Sequence, residues 1–412
     1  MRSLFVTPML PIQTAADTGG KHRRAGAFMR ALGAISTHID LVYIVPDQMM
    51  GLVTDQVHLN ATQSEFWQVP VHVTLLPRRR RKMTAWNYYG AGILSAKQQY
   101  ALYPYSAAST AEQVGSLLDS RPDLVVADRL DAMLPILASK REVRRLVFDV
   151  DDVYHRVKLR SAMAAPFAVG KRALALQAPS LVLAERHAVA RSDMAFVCSE
   201  SDAIHLRRLG FPSQIRAVPN AIAIPREPSP LVSEPTVLYL GSFYHPPNVL
   251  AAERLIGRIW PRVQAQIPAA RLLIVGSESE RLPSRVAKPA GVTYLGFVDD
   301  LDGVYAQSRL VCTPITTGSG TRLKLLEAAA YGRPMVSTRI GAEGLDFRDG
   351  HEIMLREDDA ALANACIDLL KDDAMCARYG AASRAMVLDR YDIGRIEQSI
   401  ISQFQEVCSR PS

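Results

Sequence analysis

Short, almost wholly apolar runs alternate with longer stretches of helical periodicity through the first half of the chain. The apolar runs predict strands at residues 4–7, 41–45, 71–75, 124–127, 146–149, 194–198 and 216–219. Stretches whose apolar positions recur every three or four residues predict helices at 21–35, 107–118, 133–142, 174–190 and 200–209. Continuous apolar strands separated by helices indicate a parallel sheet covered on both faces. Residues 224–235 then carry four prolines in a polar setting, the composition of a stiff linker. A second alternation begins at once, with strands at 237–240, 272–275, 292–296, 310–314, 335–338 and 353–355. Its helices fall at 249–266, 301–306, 321–331, 360–370 and 374–388. Ile393, Ile396, Ile400, Ile401, Phe404 and Val407 form a last helical stripe that must bury against something. The prediction is an α/β fold of two doubly wound, Rossmann-like domains, residues 1–225 and 226–390, followed by a terminal helix over 391–412.

Length agrees with that division, since 412 residues exceed one ordinary core. No run approaches the ~18 consecutive apolar residues of a membrane span. The opening MRSLFVTPMLPIQ reads as a first buried strand rather than a signal peptide, because prolines interrupt it and no cleavage site follows. Cytoplasmic residence is the expectation. Five cysteines without a C-x-x-C pair read as reduced thiols, not as metal ligands or bridges.

Charge adds a partner class. A net charge of +7 points to an acidic partner. The densest basic run is Arg78, Arg79, Arg80, Arg81 and Lys82, followed by Trp86, Tyr88 and Tyr89. It reads either as a solvated loop or as a docking patch for an anionic membrane surface or a phosphorylated acceptor. No recognition motif accompanies it, which argues against nucleic acid.

In open α/β sheets ligands bind beyond the carboxyl ends of the strands. Two strand-to-helix turns there carry glycines. In the first, Thr18-Gly19-Gly20-Lys21, paired glycines let backbone amides approach a phosphate at a helix mouth. It is not the G-x-G-x-x-G fingerprint of nicotinamide enzymes. In the second, Gly318-Ser319-Gly320-Thr321 opens a helix with Arg322 and Lys324 in its first turn and Glu327 one turn on. Cations there oppose the helix dipole, which makes sense if an anion occupies the mouth. The plainer alternative is a surface helix with a Lys324–Glu327 ion pair.

The run GSGTRLKLLEAAAYGRPMVSTRIGAEGL, residues 318–345, resembles the donor-site signature of glycosyltransferase family 4, whose proteins adopt the GT-B fold. The similarity extends through Val218–Ile222, Leu240-Gly241-Ser242, Leu273–Gly276 and Gly296-Phe297-Val298-Asp299, and to Gly19-Gly20 and the Asp149–Asp152 region. The resemblance implies two Rossmann-like domains facing across a cleft, with the last helix crossing back to the first domain. It implies a retaining transfer of sugar from a nucleoside-diphosphate sugar, of UDP or GDP type, to a glycan or lipid-linked acceptor, with no metal and no other cofactor. Arg322 and Lys324 would hold the diphosphate, Glu327 the ribose, and Phe297 and Val298 would flank the base. Gly241, Ser242, Gly318, Ser319, Gly320 and Thr321 would line the donor site, with Gly19 and Gly20 facing the phosphate. The membrane patch would make the protein peripheral at the inner face of the plasma membrane.

Two departures stand out. The family's E-x7-E pattern calls for glutamate where this chain has Ser319, and Glu343 is a nearby carboxylate. Where related proteins carry His-Asp, this chain has Asp151-Asp152 after Asp149, and these acids read as catalytic carboxylates or as helix caps and loop solvation. His22, His155 and His245 read first as structural residues. A GT-B epimerase or phosphorylase, or a catalytically silent nucleotide-sugar-binding scaffold, stays open at this point.

Overall fold

A computed structural model of the chain describes residues 1–8, 20–50, 55–78, 108–163, 175, 178–279, 282, 289–318 and 320–410. The chain forms two compact units, Met1–Asn220 with Gly394–Ser412, and Ala221–Ile393.

The first unit is built on β1 (Arg2–Thr7), β2 (His38–Val45), β3 (Val71–Pro77), β4 (Leu124–Asp128), β5 (Leu146–Asp151), β6 (Met194–Val197) and β7 (Ile215–Ala217). They form one parallel sheet in the order β3-β2-β1-β4-β5-β6-β7. Its helices are α1 (Gly20–Ile35), α2 (Asp47–Met50), α3 (Gln56–Trp67), α4 (Ala108–Leu118), α5 (Arg129–Ala138), α6 (Tyr154–Met163), α7 (Ala178–Ala190) and α8 (Glu200–Arg208). Every residue of β4 and β5 is buried, as strands covered on both faces require.

Helices α2, α3 and α6 have no counterpart among the expected helices, and α5 is displaced from its expected place. Helix α3 went unread because its buried face carries Gln63, whose Oε1 accepts from Tyr43 (2.8 Å) and Trp67 (3.1 Å) and so breaks the apolar stripe. Helix α5 begins at Arg129, four residues earlier than expected, with Pro135 inside it. It stops before 142 because Lys140 turns left-handed, at φ 56°.

The second unit carries β8 (Thr236–Leu240), β9 (Arg271–Val275), β10 (Val292–Gly296), β11 (Leu310–Thr313), β12 (Met335–Ser337) and β13 (Met354–Leu355). Their parallel order is β10-β9-β8-β11-β12-β13. Its helices are α9 (Pro246–Arg254), α10 (Trp260–Gln266), α11 (Leu301–Ala306), α12 (Leu323–Ala330), α13 (Asp359–Lys371) and α14 (Asp373–Arg390). The single helix expected over 249–266 is interrupted by a π turn at Leu255–Ile259. Pro261 follows, and without an N–H it cannot continue the regular ladder.

The proline-rich run 224–235 belongs to this second unit, where arginines on its core elements bind its carbonyls. Arg384 donates to the oxygens of Pro225 and Arg226 (3.0 Å to the latter), Arg333 to Pro230 (2.8 Å) and Arg309 to Val232 (3.0 Å). Helix α15 (Ile393–Ser409) buries Ile396, Ile400, Phe404 and Val407. The Phe404 ring meets Phe28 and Phe196 at centroid distances of 6.1 and 6.4 Å within the first unit.

Candidate functional site

At the carboxyl edge of the first sheet, β4 and β5 end on acids that stand side by side in register, Asp128 opposite Asp149. A bulge between Asp149 and Asp151 follows. It lets both acids reach Arg24 of α1, the first at 2.6 Å and the second at 3.7 Å. Arg24 also donates to the Val218 carbonyl at 2.7 Å. Arg129 lies 2.7 Å from Asp151 and 3.7 Å from Asp128, whose other oxygen accepts from Thr7 at 2.6 Å. The Cys198 thiol donates to Asp151 at 3.2 Å.

All five charged groups are buried, so each depends on the others for solvation. Arg129 (φ 69°) and Asp151 (φ 53°) adopt left-handed backbone that L-residues rarely take, held there by this network. Burial pushes the Asp128 carboxyl up to about 7 against the pull of Arg129, with Asp149 adding to the rise. Burial likewise raises Asp149, although Arg24 opposes it. Asp149 and Asp151 are therefore neither solvated nor helix caps. Asp152, next along, is half-buried.

His155 is buried against Glu185, Nδ1 to Oε2 at 2.5 Å, and its Nε2 faces that of His205 at 2.9 Å. Its neighbours fit the structural reading given above. His22 is half-buried and His245 exposed.

In the second unit, the turns after β8, β9 and β10 interlock. Gly276 donates to the Gly296 carbonyl at 2.7 Å, Gly241 to the Val275 carbonyl at 3.0 Å, and the Gly296 N–H donates to Ser279 Oγ at 3.0 Å. The Gly241 backbone approaches so closely that a Cβ on Gly276 (φ 136°) would lie 1.9 Å from the Gly241 oxygen. Gly276 is thus demanded by close approach.

Further along, Gly318 (φ 110°) and Gly320 (φ 76°) turn the chain into α12. The helix opens at Leu323, so Arg322 is its extended capping residue and only Lys324 lies in the first turn. The Arg322 guanidinium donates to the Gly320 carbonyl, and a Cβ on Gly318 would lie 3.1 Å from its Nη2. Lys324 does not follow the ion-pair alternative. Its Nζ donates to Asn248 Oδ1 of α9 at 3.0 Å and stands 4.6 Å from the Tyr239 ring centroid. Burial pushes this ammonium down to about 7; Arg322 acts in the same direction and Glu327 against it.

The structure thus brings Gly241, Ser242, Gly318, Gly320, Arg322 and Lys324 into one set of turns, through Asn248, which bridges Lys324 to the Ser242 carbonyl (2.9 Å). Thr321 and Glu327 are half-buried beside them. After β10, Phe297 is 60% exposed while Val298 packs on the core. Gly20 starts α1, and Asp151 sits in the first unit's ion network. Gly19, Ser319, Arg79, Arg80, Arg81, Lys82, Trp86, Tyr88 and Tyr89 lie outside the described residues. Arg78 is described and donates to the Pro8 carbonyl at 3.0 Å.

Asn248, Arg24, Arg129 and Asp128 were not singled out in the sequence. Asn248 directly precedes the apolar periodicity of its helix, and Arg24 meets Asp149 and Val218 at separations of 125 and 194 residues.

Residues 234–372 match the family model described as "Glycosyl transferases group 1". The matched stretch lies within the second unit. Across 182 residues the chain is 32% identical to the phosphatidyl-myo-inositol mannosyltransferase of Mycobacterium tuberculosis, covering 42% of this chain and 47% of that protein. The match therefore spans about half the length of that curated relative. The sucrose-phosphate synthase structure from Thermosynechococcus elongatus superimposes with a TM-score of 0.69 at 18% identity, over 98% of both chains. The Anabaena Alr3699/HepE structure in complex with UDP-glucose gives a TM-score of 0.62 at 16% identity, over 98% of this chain and 100% of that one. With the two parallel-sheet units, these likenesses establish the GT-B fold of the chain. No helix of the described residues is long and apolar enough to cross a membrane.

Proposed function

We propose that this protein is a glycosyltransferase that moves a hexose from a nucleoside-diphosphate sugar to an acceptor hydroxyl in glycan or glycolipid assembly, with retention at the anomeric carbon. The observation that carries the reading is the α12 mouth inside the group 1 domain. Two cations, Arg322 and Lys324, stand at a helix N-terminus lined by Gly318 and Gly320, and Lys324 is held by a neutral amide.

In this reading the diphosphate lies at that mouth, where backbone N–H groups and the helix dipole favour an anion. Arg322 and Lys324 then stabilise the charge that grows on the leaving diphosphate, a contribution that is large when the groups are preorganised. Glu327 accepts from the ribose hydroxyls, and the Gly241–Ser242 turn, Ser319 and Thr321 complete the donor site. Phe297 and Val298 flank the base. In the first unit Asp152 is the carboxylate proposed for the acceptor side, since Asp151 is paired in the buried ion network.

Binding the diphosphate requires Lys324 charged, so above about pH 7 the site takes up a proton as the anion enters. The acceptor is proposed to be a glycan or a lipid-linked saccharide. The name of the mycobacterial relative, which contains a phosphatidyl-inositol, supports the lipid option. The basic run Arg78–Lys82 would then meet an anionic membrane surface.

Calorimetric titration with UDP, GDP, ADP and TDP and their sugar conjugates tests the reading. Selective binding of one nucleotide is expected, with proton uptake seen as a buffer-dependent heat above pH 7. Failure of all four to bind would overturn it. Release of an isomerised free sugar without acceptor would favour an epimerase instead.

A further inference from the structure

Asn248 touches each part of the α12 mouth that comes from β8 or α9. Its Oδ1 accepts from the Lys324 ammonium (3.0 Å), its Nδ2 donates to the Ser242 carbonyl (2.9 Å), and its backbone oxygen accepts from the Tyr239 hydroxyl (3.0 Å). A Cβ on Gly241 would come within 3.0–3.2 Å of the Asn248 side chain, so that glycine leaves the room the amide occupies. The amide is thereby fixed at both ends. A carboxylate of the same shape would cancel the cation it holds, whereas an amide orients the cation and leaves its charge intact.

We propose that Asn248 is the positioning residue of this site, holding the Lys324 ammonium over the Tyr239 ring with its charge available to an anionic ligand. The inference rests on the donor-site reading above, but concerns a residue that the resemblance to family 4 does not assign. The charged and titratable groups around Lys324 are Arg322 and Glu327 from its own element and Tyr239 from β8, with Asn248 the neutral contact from α9. Burial and Arg322 hold the ammonium down, in agreement with a partner that carries no charge.

The experiment compares wild type with Asn248→Asp and Asn248→Ala, checked for native melting. The first readout needs no ligand: the pH midpoint for acylation of Lys324 by acetic anhydride, followed by peptide mass spectrometry. Wild type is expected to titrate near 7. Asn248→Asp is expected to raise the midpoint by about one unit or more, as an added carboxylate favours the ammonium. The second readout is calorimetric binding of UDP and GDP, expected to weaken about tenfold or more in both variants.

A residue that merely fills space predicts an Asp variant with the wild-type midpoint, and that result overturns the proposal. So does a shifted midpoint with undiminished nucleotide binding. Should wild type bind neither nucleotide, the donor-site reading fails, and the Lys324 midpoints still decide whether Asn248 sets the state of the ammonium. Full folding with both readouts moved supports it.

Discussion

The two units reach the carboxyl ends of their sheets in opposite electrostatic styles. In the first, two guanidiniums and three carboxylates face one another in the interior, and each cation has carboxylate partners. In the second, Arg322 donates to a backbone carbonyl and Lys324 to a neutral amide, beside glycines that admit a close backbone approach. One fold position thus serves two purposes. Opposite charges close the first edge and hold strand ends in strained backbone, while in the second an amide orients the Lys324 ammonium without adding a charge of its own. The contrast shows why charged residues at a strand end are not by themselves a catalytic signature: their partners decide.

The sharpest break of that comparison is chemical. Replacing Arg322 and Lys324 together by Ala should lower turnover about 10²-fold or more, with little change in folding stability. Steady-state transfer with the nucleotide sugar chosen by calorimetry checks this, and undiminished transfer would remove α12 from the chemistry. The opposite outcome is expected in the first unit. Asp149→Ala strips Arg24 of its bidentate partner in the interior and should cost about 3–5 kcal/mol, seen as loss of exchange protection in β4 and β5.

A smaller effect sharpens the same point through pH. Asp128 binds its proton more tightly folded than unfolded, so its contribution to stability is full below about pH 4 and is lost as pH rises through about 7. Asp128→Asn should flatten that decline in the first unit, measured by denaturant unfolding between pH 4.5 and 7.5. The smallest effect belongs to a surface pair. Arg30 contacts Glu397 of α15 while 41% exposed, and Arg30→Ala should change stability by less than about 1 kcal/mol.

How much of this was legible in the sequence follows from the range of the interactions. Strands such as β4, β5 and β8 are apolar throughout, and a short window suffices to read them. The turn at Gly318–Gly320 was readable for the same reason, because left-handed backbone leaves glycines in the local sequence. Helix α3 was not, since a buried Gln63 breaks its stripe. Nor were the partners of the acids and of Lys324. Arg24 lies 125 residues from Asp149, and Asn248 76 residues from Lys324. No local pattern links residues brought together only by parallel crossovers. The capping alternative for Asp149 and Asp151 was locally sound and gave way to ion pairing across strands.

The position of α15 in the chain has a consequence for biosynthesis. The first unit is discontinuous: residues 221–393 are made between its seventh strand and the helix that brings Phe404 to Phe28 and Phe196. Emerging from the ribosome, the first unit therefore waits with part of its core open while the whole second unit is translated. The second unit is contiguous and can close as soon as it appears. The helix that Arg145 fastens through the Val407 and Arg410 carbonyls follows the second unit, so the first unit completes its core only after the second has been made.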